Sequence, residues 1–460
     1  MPKKLTNLEK LLAQPDLVVP IVTVVLFSLF FAWNFAFRTG GVVSVSSTQS
    51  SSSSSRSLTK RRILTEPMSQ NLAFEENTLN HILITGQSLS VGETGKPALS
   101  IFQPYSNLRL TDGIVEPLIE NIQLDGYTET SESITSGFAN NTTFNSKDQK
   151  YQIVISNHGR GGTAYNNLKK GTALYQKNLD EVSAAQSLAK GKGLKHKVRA
   201  VFVIHGESDN ALGNGSKYAD FLQEWHTAYN QDIKQITGQT EDIFLFTDQM
   251  SSFGHVLATP KNIADPSTAL AQLTASEKNP KIIMVGPKYF LNYNDNLNLN
   301  NLGYRKMGEY YAKAFQQTVL KNENWQPLKP LETRLEGDKI KIRFSVPQKP
   351  LTLDTKNVLE RENYGFNFVE DDENPGKIQS VKLISEDTIE ITLDKIPSGN
   401  NKKIQYGLNA AYLNDSTTGH GTGAMRTGTA GGNLRDNDES DSIYGNNLYN
   451  WAVHFEESLD

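Results

Sequence analysis

Five short apolar runs in the middle of the chain constrain its fold more than any other feature. They read HILIT (81–85), YQIVIS (151–156), VRAVFVIHG (198–206), IFLFTD (243–248) and KIIMVGP (281–287). Each is nearly continuous rather than alternating, the pattern of a strand covered on both faces in a parallel sheet. Parallel neighbours need a crossover of a dozen residues or more, normally a helix. Amphipathic stretches at 173–191, 218–236 and 301–320 supply such crossovers and a closing helix. Residues 80–326 are therefore expected to form one doubly wound α/β domain, with its ligand site at the carboxyl ends of the strands.

Beyond residue 326 the period changes. DKIKIRFSV (338–346) and DTIEITLD (387–394) alternate strictly, so each has one buried and one solvated face. Residues 327–460 read as a small antiparallel β-sandwich. Within it, 419–438 is glycine-rich and polar, an exposed loop, and 444–455 reads as a closing strand with Trp451 and Phe455 buried. Tyr444, Tyr449 and Trp451 could otherwise offer an aromatic platform to carbohydrate, core packing being the plainer use.

The N-terminus carries a different signal. Leu17 to Phe37 is 21 residues without a charge, long enough to cross a hydrocarbon layer of about 30 Å as a helix. Lys3, Lys4 and Lys10 precede it and Arg38 alone follows closely, which favours a cytoplasmic tail (1–16), a signal anchor (17–37) and an extracytoplasmic body. A cleaved signal peptide is the competing reading, though no A-x-A site closes the run. Residues 38–79, serine-rich and then basic, read as a disordered stem. Four N-x-[ST] sequons, at Asn140, Asn141, Asn214 and Asn414, would be glycosylation sites in a secretory pathway. The formal net charge of −4 gives no reason to expect a nucleic-acid partner. With no cysteine there is no disulfide, thiolate metal site or Cys nucleophile.

Function is carried by the loops after the strands. The first run opens into Gly86-Gln87-Ser88-Leu89-Ser90. This is no phosphate loop, because Ser90 and Pro97 stand where G-x-x-x-x-G-K-[ST] needs Gly and a hydroxyl. It is no G-x-S-x-G elbow either, because Ser90 replaces the second Gly. A plain turn capped by Ser88 fits this stretch by itself. The second run leads into a glycine cluster at 159–162, which would let backbone N–H groups approach a ligand. The third ends in His205-Gly206-Glu207-Ser208-Asp209, and Asp295 stands in the loop before the last amphipathic stretch. His158 lies beside the glycine cluster, where a structural hydrogen bond is its plainer role. The histidines show no metal-ligand spacing, and no cofactor is implied.

These four blocks, in this order, resemble the SGNH-hydrolase superfamily, a flavodoxin-like α/β fold, and within it the sialate O-acetylesterase-type carbohydrate esterases. The resemblance spans about 80–320. It implies Ser88 as nucleophile, an oxyanion hole at Gly161 and Gly162, Glu207 as a positioning acid, and Asp295 as the triad acid. Gln87 and Asp209, inside the same blocks, are expected to contact substrate. Two positions depart from the pattern. The family's catalytic His falls at Asn298, with Asp295, Leu297, Leu299, Gly303 and Tyr304 fixing the register. An amide cannot serve as general base, because its nitrogen lone pair is delocalised. The family's oxyanion-donating Gln falls at His205, which could donate a ring N–H or act as a displaced base. The resemblance thus implies an esterase acting on acetylated carbohydrate with a degenerate acid–base arm. The rivals are a glycan-binding relative without turnover and a structural surface protein.

Overall fold

The computed structural model of the protein describes residues 77–120, 122–124, 127–129, 131–146, 151–252, 265–295, 297–408, 430–445 and 447–459. The expected membrane span (17–37) and nearly all of the expected stem lie outside them. Among the described residues no helix is long and apolar enough to cross a membrane. The described residues form one compact unit.

Strand β1 (Thr78–Gly86) is followed by β2 (Leu108–Thr111), β3 (Ile114–Pro117), a small hairpin of β4 (Ile122–Leu124) and β5 (Tyr127–Glu129), and helix α1 (Ile134–Phe144). Then come β6 (Ile153–Asn157), α2 (Ala173–Gly191), β7 (Lys195–Ile204), the short α3 (Glu207–Ala211) and α4 (Tyr218–Thr237). The α/β part ends with β8 (Phe244–Gln249), α5 (Ser267–Lys278), β9 (Ile282–Pro287) and α6 (Asn301–Phe315). One seven-stranded sheet runs β3-β2-β6-β1-β7-β8-β9, parallel except for the β2–β3 pair. Taken in chain order, β1, β6, β7, β8 and β9 sit 2-1-3-4-5, the flavodoxin-like arrangement. The chain leaves β1 toward β6 on one side and β7 on the other, so a crevice opens beyond the carboxyl end of β1.

The continuous apolar runs are explained by burial on both faces. Ile82 and Ile84 pack with Ile134, Phe138, Tyr311 and Phe315 of α1 and α6. Leu83, between them, packs with Val182, Leu222 and Trp225 of α2 and α4. Helices α1 and α6 touch backbone to backbone. A Cβ on Gly137 would lie 2.2 Å from Arg305 O, and one on Gly308 2.2 Å from Ile134 O.

After α6 come β10 (Lys329–Glu336), β11 (Lys339–Ser345), β12 (Thr352–Leu353), β13 (Phe366–Asp371), β14 (Ile378–Leu383), β15 (Thr388–Leu393), β16 (Asn400–Tyr406), β17 (Leu434–Arg435) and β18 (Phe455–Ser458). Antiparallel sheets β10-β11-β15-β14 and β13-β16-β18 share one core, Ile340, Ile342, Ile389 and Ile391 facing Phe366, Ile404, Tyr406 and Phe455. The last strand begins at Phe455, not 444. Trp451 is buried, stacked on Phe290 with ring centroids 5.4 Å apart. Residues 438–450 instead grip α6: Ser442 and the Ile443 N–H donate to Glu309, and Lys313 donates to Leu448 O and Asn450. Asn140 and Asn141 are buried, so neither can carry a glycan in the fold. Asn214 spends its amide on Asp209, and Asn414 lies outside the described residues.

A buried relay crosses the sheet near the amino ends of its strands. The Oε1 of Gln186 can only accept, so His196 Nδ1–H donates to it at 2.9 Å. His196 Nε2 must then accept from His81 Nδ1–H at 3.2 Å, and His81 Nε2 accepts from Ser156 Oγ at 2.9 Å. Protonating His196 would put an N–H at Nε2 against the His81 Nδ1–H, whereas a proton on His81 Nε2 would face a Ser156 hydroxyl that can also accept. Burial, reinforced for His81 by its neighbour, holds both imidazoles below their ordinary 6.5, His196 at about 4. Because the fold depresses these values, their contribution is complete above pH 6.5 and is lost as pH falls toward 4. For His196 alone the difference corresponds to about 3 kcal/mol. Urea midpoints measured from pH 7 to pH 4 should therefore fall less steeply for His196→Gln than for wild type. Parallel slopes would show that the pair is not the source of acid sensitivity.

Candidate active site

Where β1 ends, the chain passes very close to β7. Gly86 has φ +144°, and a Cβ there would lie 2.1 Å from Ile204 O. The Gln87 N–H donates to that same carbonyl at 3.1 Å. The chain then coils into a 3₁₀ turn, Ser88–Ser90, which brings Ser88 to the crevice at 8% exposure. The β6 loop closes on this turn. Asn157 Nδ2 donates to Ser90 O at 2.7 Å, and the Arg160 N–H donates to Gly86 O at 3.0 Å. A Cβ on Gly161 would lie 3.9 Å from Ser88 Cβ and 4.0 Å from Glu93 Oε2. Gly162 turns the loop away with φ +64°. Among the described residues neither the Ser88 nor the Gly161 N–H has a hydrogen-bond partner.

The loop before α6 completes the cluster. Ser88 Oγ donates to Asn298 Oδ1 at 2.8 Å, and Asn298 Nδ2 donates to Asp295 Oδ2 at 3.2 Å. The other oxygen of Asp295 accepts the Leu297 and Asn298 N–H groups at 2.7 and 2.6 Å. Asn300 caps α6 by accepting from the Gly303 N–H at 2.9 Å. A carboxylate only accepts, so the amide orientation is fixed: nitrogen toward Asp295, oxygen toward Ser88. Asn298 thus has the donor and acceptor pattern of a neutral imidazole between an acid and a hydroxyl. It lacks the basicity.

The structure places the other expected site residues elsewhere. His205 is fully buried, with Nε2–H donating to Thr163 O at 2.8 Å and Nδ1 accepting from Tyr218 Oη at 2.7 Å. Burial lowers its pKa, against the pull of Asp209 and of the Thr163 carbonyl. With both nitrogens committed, it is neither a displaced base nor an oxyanion donor. Gln87 Oε1 accepts the Ser208 N–H at 2.9 Å. Asp209 is wholly buried and accepts the Tyr165 N–H at 2.7 Å and Asn214 Nδ2 at 2.8 Å. Both side chains stitch loops together, Gln87 to Ser208 and Asp209 to Tyr165 and Asn214. Glu207 makes no hydrogen bond to Asn298; it pairs with Lys288 Nζ at 2.5 Å.

Lys288, which the sequence reading passed over, is 1% exposed and also bonds Asp248 at 2.8 Å. Burial opposes its charge, but Asp248 and Glu207 outweigh that and raise its pKa above the ordinary lysine value. Its signal was a lysine directly after an apolar strand, with acids ending two neighbouring strands. Glu93, beside Gly161, had no signal at all. His158 bonds Glu181 at 3.1 Å, a structural role. Among the described residues no group of three or more His, Cys, Asp or Glu side chains is placed to hold a metal ion.

A parallel flavodoxin-like sheet with a serine after its first strand and an aspartate before its last helix defines an SGNH-type esterase fold. The sequence matches the model of a carbohydrate esterase family, described as sialic acid-specific acetylesterase, over residues 83–317, and the chain belongs to that family. Among solved structures, a carbohydrate acetylesterase from Xanthomonas citri is similar at 14% identity and TM-score 0.53, covering 82% of this chain and 80% of its own. A protein from Arabidopsis thaliana shares 17% identity with TM-score 0.43, over 52% of this chain and 98% of its own. An aryl esterase from M. smegmatis shares 10% with TM-score 0.32, over 52% and 100%. No curated protein matches the sequence.

The Asp209 contacts generate a direct test. Asp209→Ala leaves the Tyr165 N–H and the Asn214 amide without their buried acceptor, at about 1–3 kcal/mol each. The variant should lose stability on that scale and be cut by trypsin after Arg160, Lys169 or Lys170 under conditions that spare the wild type. An unchanged urea midpoint and digestion pattern would remove Asp209 as the clamp of the glycine loop.

Proposed function

We propose that this chain acts on acetyl esters of carbohydrate through Ser88, at a rate limited by Asn298. The observation that carries the reading is the Ser88–Asn298–Asp295 chain of hydrogen bonds beside two backbone N–H groups without partners. In this mechanism Ser88 Oγ forms a bond to the acetyl carbonyl carbon and the carbonyl π pair moves onto oxygen. The N–H groups of Ser88 and Gly161 receive that oxyanion, and because they are preorganised no reorientation is needed as charge develops. The bond from the carbonyl carbon to the sugar oxygen then breaks as that oxygen takes a proton from solvent, and water hydrolyses the acyl-serine to acetate and free Ser88. The serine proton is the weak point. The Asn298 oxygen accepts it as a hydrogen bond but cannot take it as a base, so it must pass to hydroxide or solvent. Loss of general-base help typically slows such a reaction about 10²–10⁴-fold.

The same hydrogen bond supports a second reading, in which the site binds acetylated glycan without turning it over. From the uncharged stretch 17–37 we further propose that residues 80–460 lie on the extracytoplasmic side of a membrane. Aryl acetate hydrolysis followed from pH 5 to pH 9 discriminates the readings. Wild type should be slow, abolished by Ser88→Ala, and rise continuously with hydroxide. Asn298→His should be about 10²–10⁴-fold faster and level off above the imidazole pKa. A wild type as fast as Asn298→His would refute the rate limit, and a wild type equal to Ser88→Ala would refute turnover through Ser88.

A further inference from the structure

A second polar groove lies at the other end of α6 from Asn298. With 15 residues at about 1.5 Å each, that helix separates the two places by roughly 22 Å. The groove has a volume of about 740 Å³, within the roughly 300–1,000 Å³ of ligand pockets, and opens where the α/β part meets the antiparallel sheets. At this end α6 widens into a single π-helical turn, Gln316–Leu320, with the Lys321 N–H donating to Gln316 O at 2.9 Å. Such turns are frequent at functional sites.

The lining is chemically specific. Asn324, Gln326, Gln348 and Asn450 supply side-chain amides, and Lys321 and Glu323 supply opposite charges. The floor is prearranged: Lys313 Nζ lies 2.7 Å from Asp438 and 2.9 Å from Asn450 Oδ1, and Asn450 Nδ2 donates to Asp436 at 2.6 Å. Asn450 and Asp438 are 5% and 9% exposed. Lys313 and Lys321 are matched by Asp438, Glu323 and the underlying Asp436, so the groove carries no excess positive charge to draw an anion. Asn450 is spent on Lys313 and the two aspartates, but the exposed amides of Asn324, Gln326 and Gln348 can each donate and accept, which is what a row of sugar hydroxyls requires.

We propose that this groove is a non-catalytic carbohydrate site, holding a neutral stretch of the glycan chain whose acetyl ester is presented at Ser88. The class of ligand rests on the carbohydrate reading of the Ser88 site; the location rests on the groove alone. Calorimetric titration of the full chain with cellohexaose, xylohexaose and hexagalacturonate tests it, in wild type, Ser88→Trp and Gln326→Ala/Gln348→Ala. Gln326 and Gln348 are exposed, so their truncation spares the fold. A neutral hexasaccharide should bind wild type and Ser88→Trp alike and lose at least ten-fold in the double variant. Binding lost in Ser88→Trp but kept in the double variant overturns the proposal, as does preference for the galacturonate or failure of all three probes. Esterase activity is scored separately, so a silent Ser88 leaves the outcome of the titration intact.

Discussion

The close approach of β1 to β7 at Gly86 is the constraint on which the site depends. Only a residue without a Cβ lets the backbone pass 2.1 Å from where that atom would meet Ile204 O. Once it passes, the Gln87 N–H reaches Ile204 O and the Gln87 side chain reaches the Ser208 N–H. Asp209 then fixes Tyr165, and His205 fixes Thr163. Three loops that are distant in sequence are thereby locked with buried, directional bonds. Ser88 and Gly161 inherit their separation from this lock, which is why the bonds of Gln87, His205 and Asp209 belong to the architecture of the crevice.

Beneath the lock sits an ion cluster of one cation and two anions. Lys288 bridges Glu207 and Asp248, and Tyr311 of α6 donates to Asp248 at 2.9 Å. Removing one partner of a buried pair leaves an uncompensated charge and costs about 3–5 kcal/mol, whereas the intact cluster adds little net stability over an apolar one. What it adds is registration. It ties α3, β8, β9 and α6 to one point, and α6 carries the loop that presents Asn298. The segment 438–450 holds the same helix from outside through Glu309 and Lys313. The antiparallel sheets are therefore not an independent appendage.

The parallel strands were legible because burial on two faces leaves a continuous apolar signature. Predicted 81–85 and 243–248 became Thr78–Gly86 and Phe244–Gln249, and 173–191 was found as a helix with those ends. The edge strands β2 and β3 were not legible, since four-residue strands with exposed faces, such as Ile114 at 62% exposure, look like loop. The register of Asp295 and Asn298 followed from the family resemblance, through the flanking Leu297, Leu299, Gly303 and Tyr304. The directions of Gln87, His205 and Asp209 were not, because a motif gives position along the chain and not which way a side chain turns. The His81–His196 contact was invisible for a related reason: 115 residues separate the rings, and only strand register brings them to 3.2 Å.

On the proposed reading, Asn298 separates two properties that are united in a triad histidine. One is hydrogen-bond pattern, donor toward the acid and acceptor toward the hydroxyl. The other is proton affinity near neutral pH. The fold responds only to the first, since loop geometry follows from the Asp295 contacts to the Leu297 and Asn298 N–H groups and to the amide. An amide satisfies all of these, so the loop, the Asn300 cap and the α6 start need no adjustment. Catalysis responds chiefly to the second, because the proton of an attacking serine must be taken up as the new bond forms. A substitution that leaves every ground-state contact in place can thus remove most of the rate. On the same reading recognition would not depend on residue 298, because the N–H groups proposed to hold the acetyl oxygen belong to the backbone of Ser88 and Gly161.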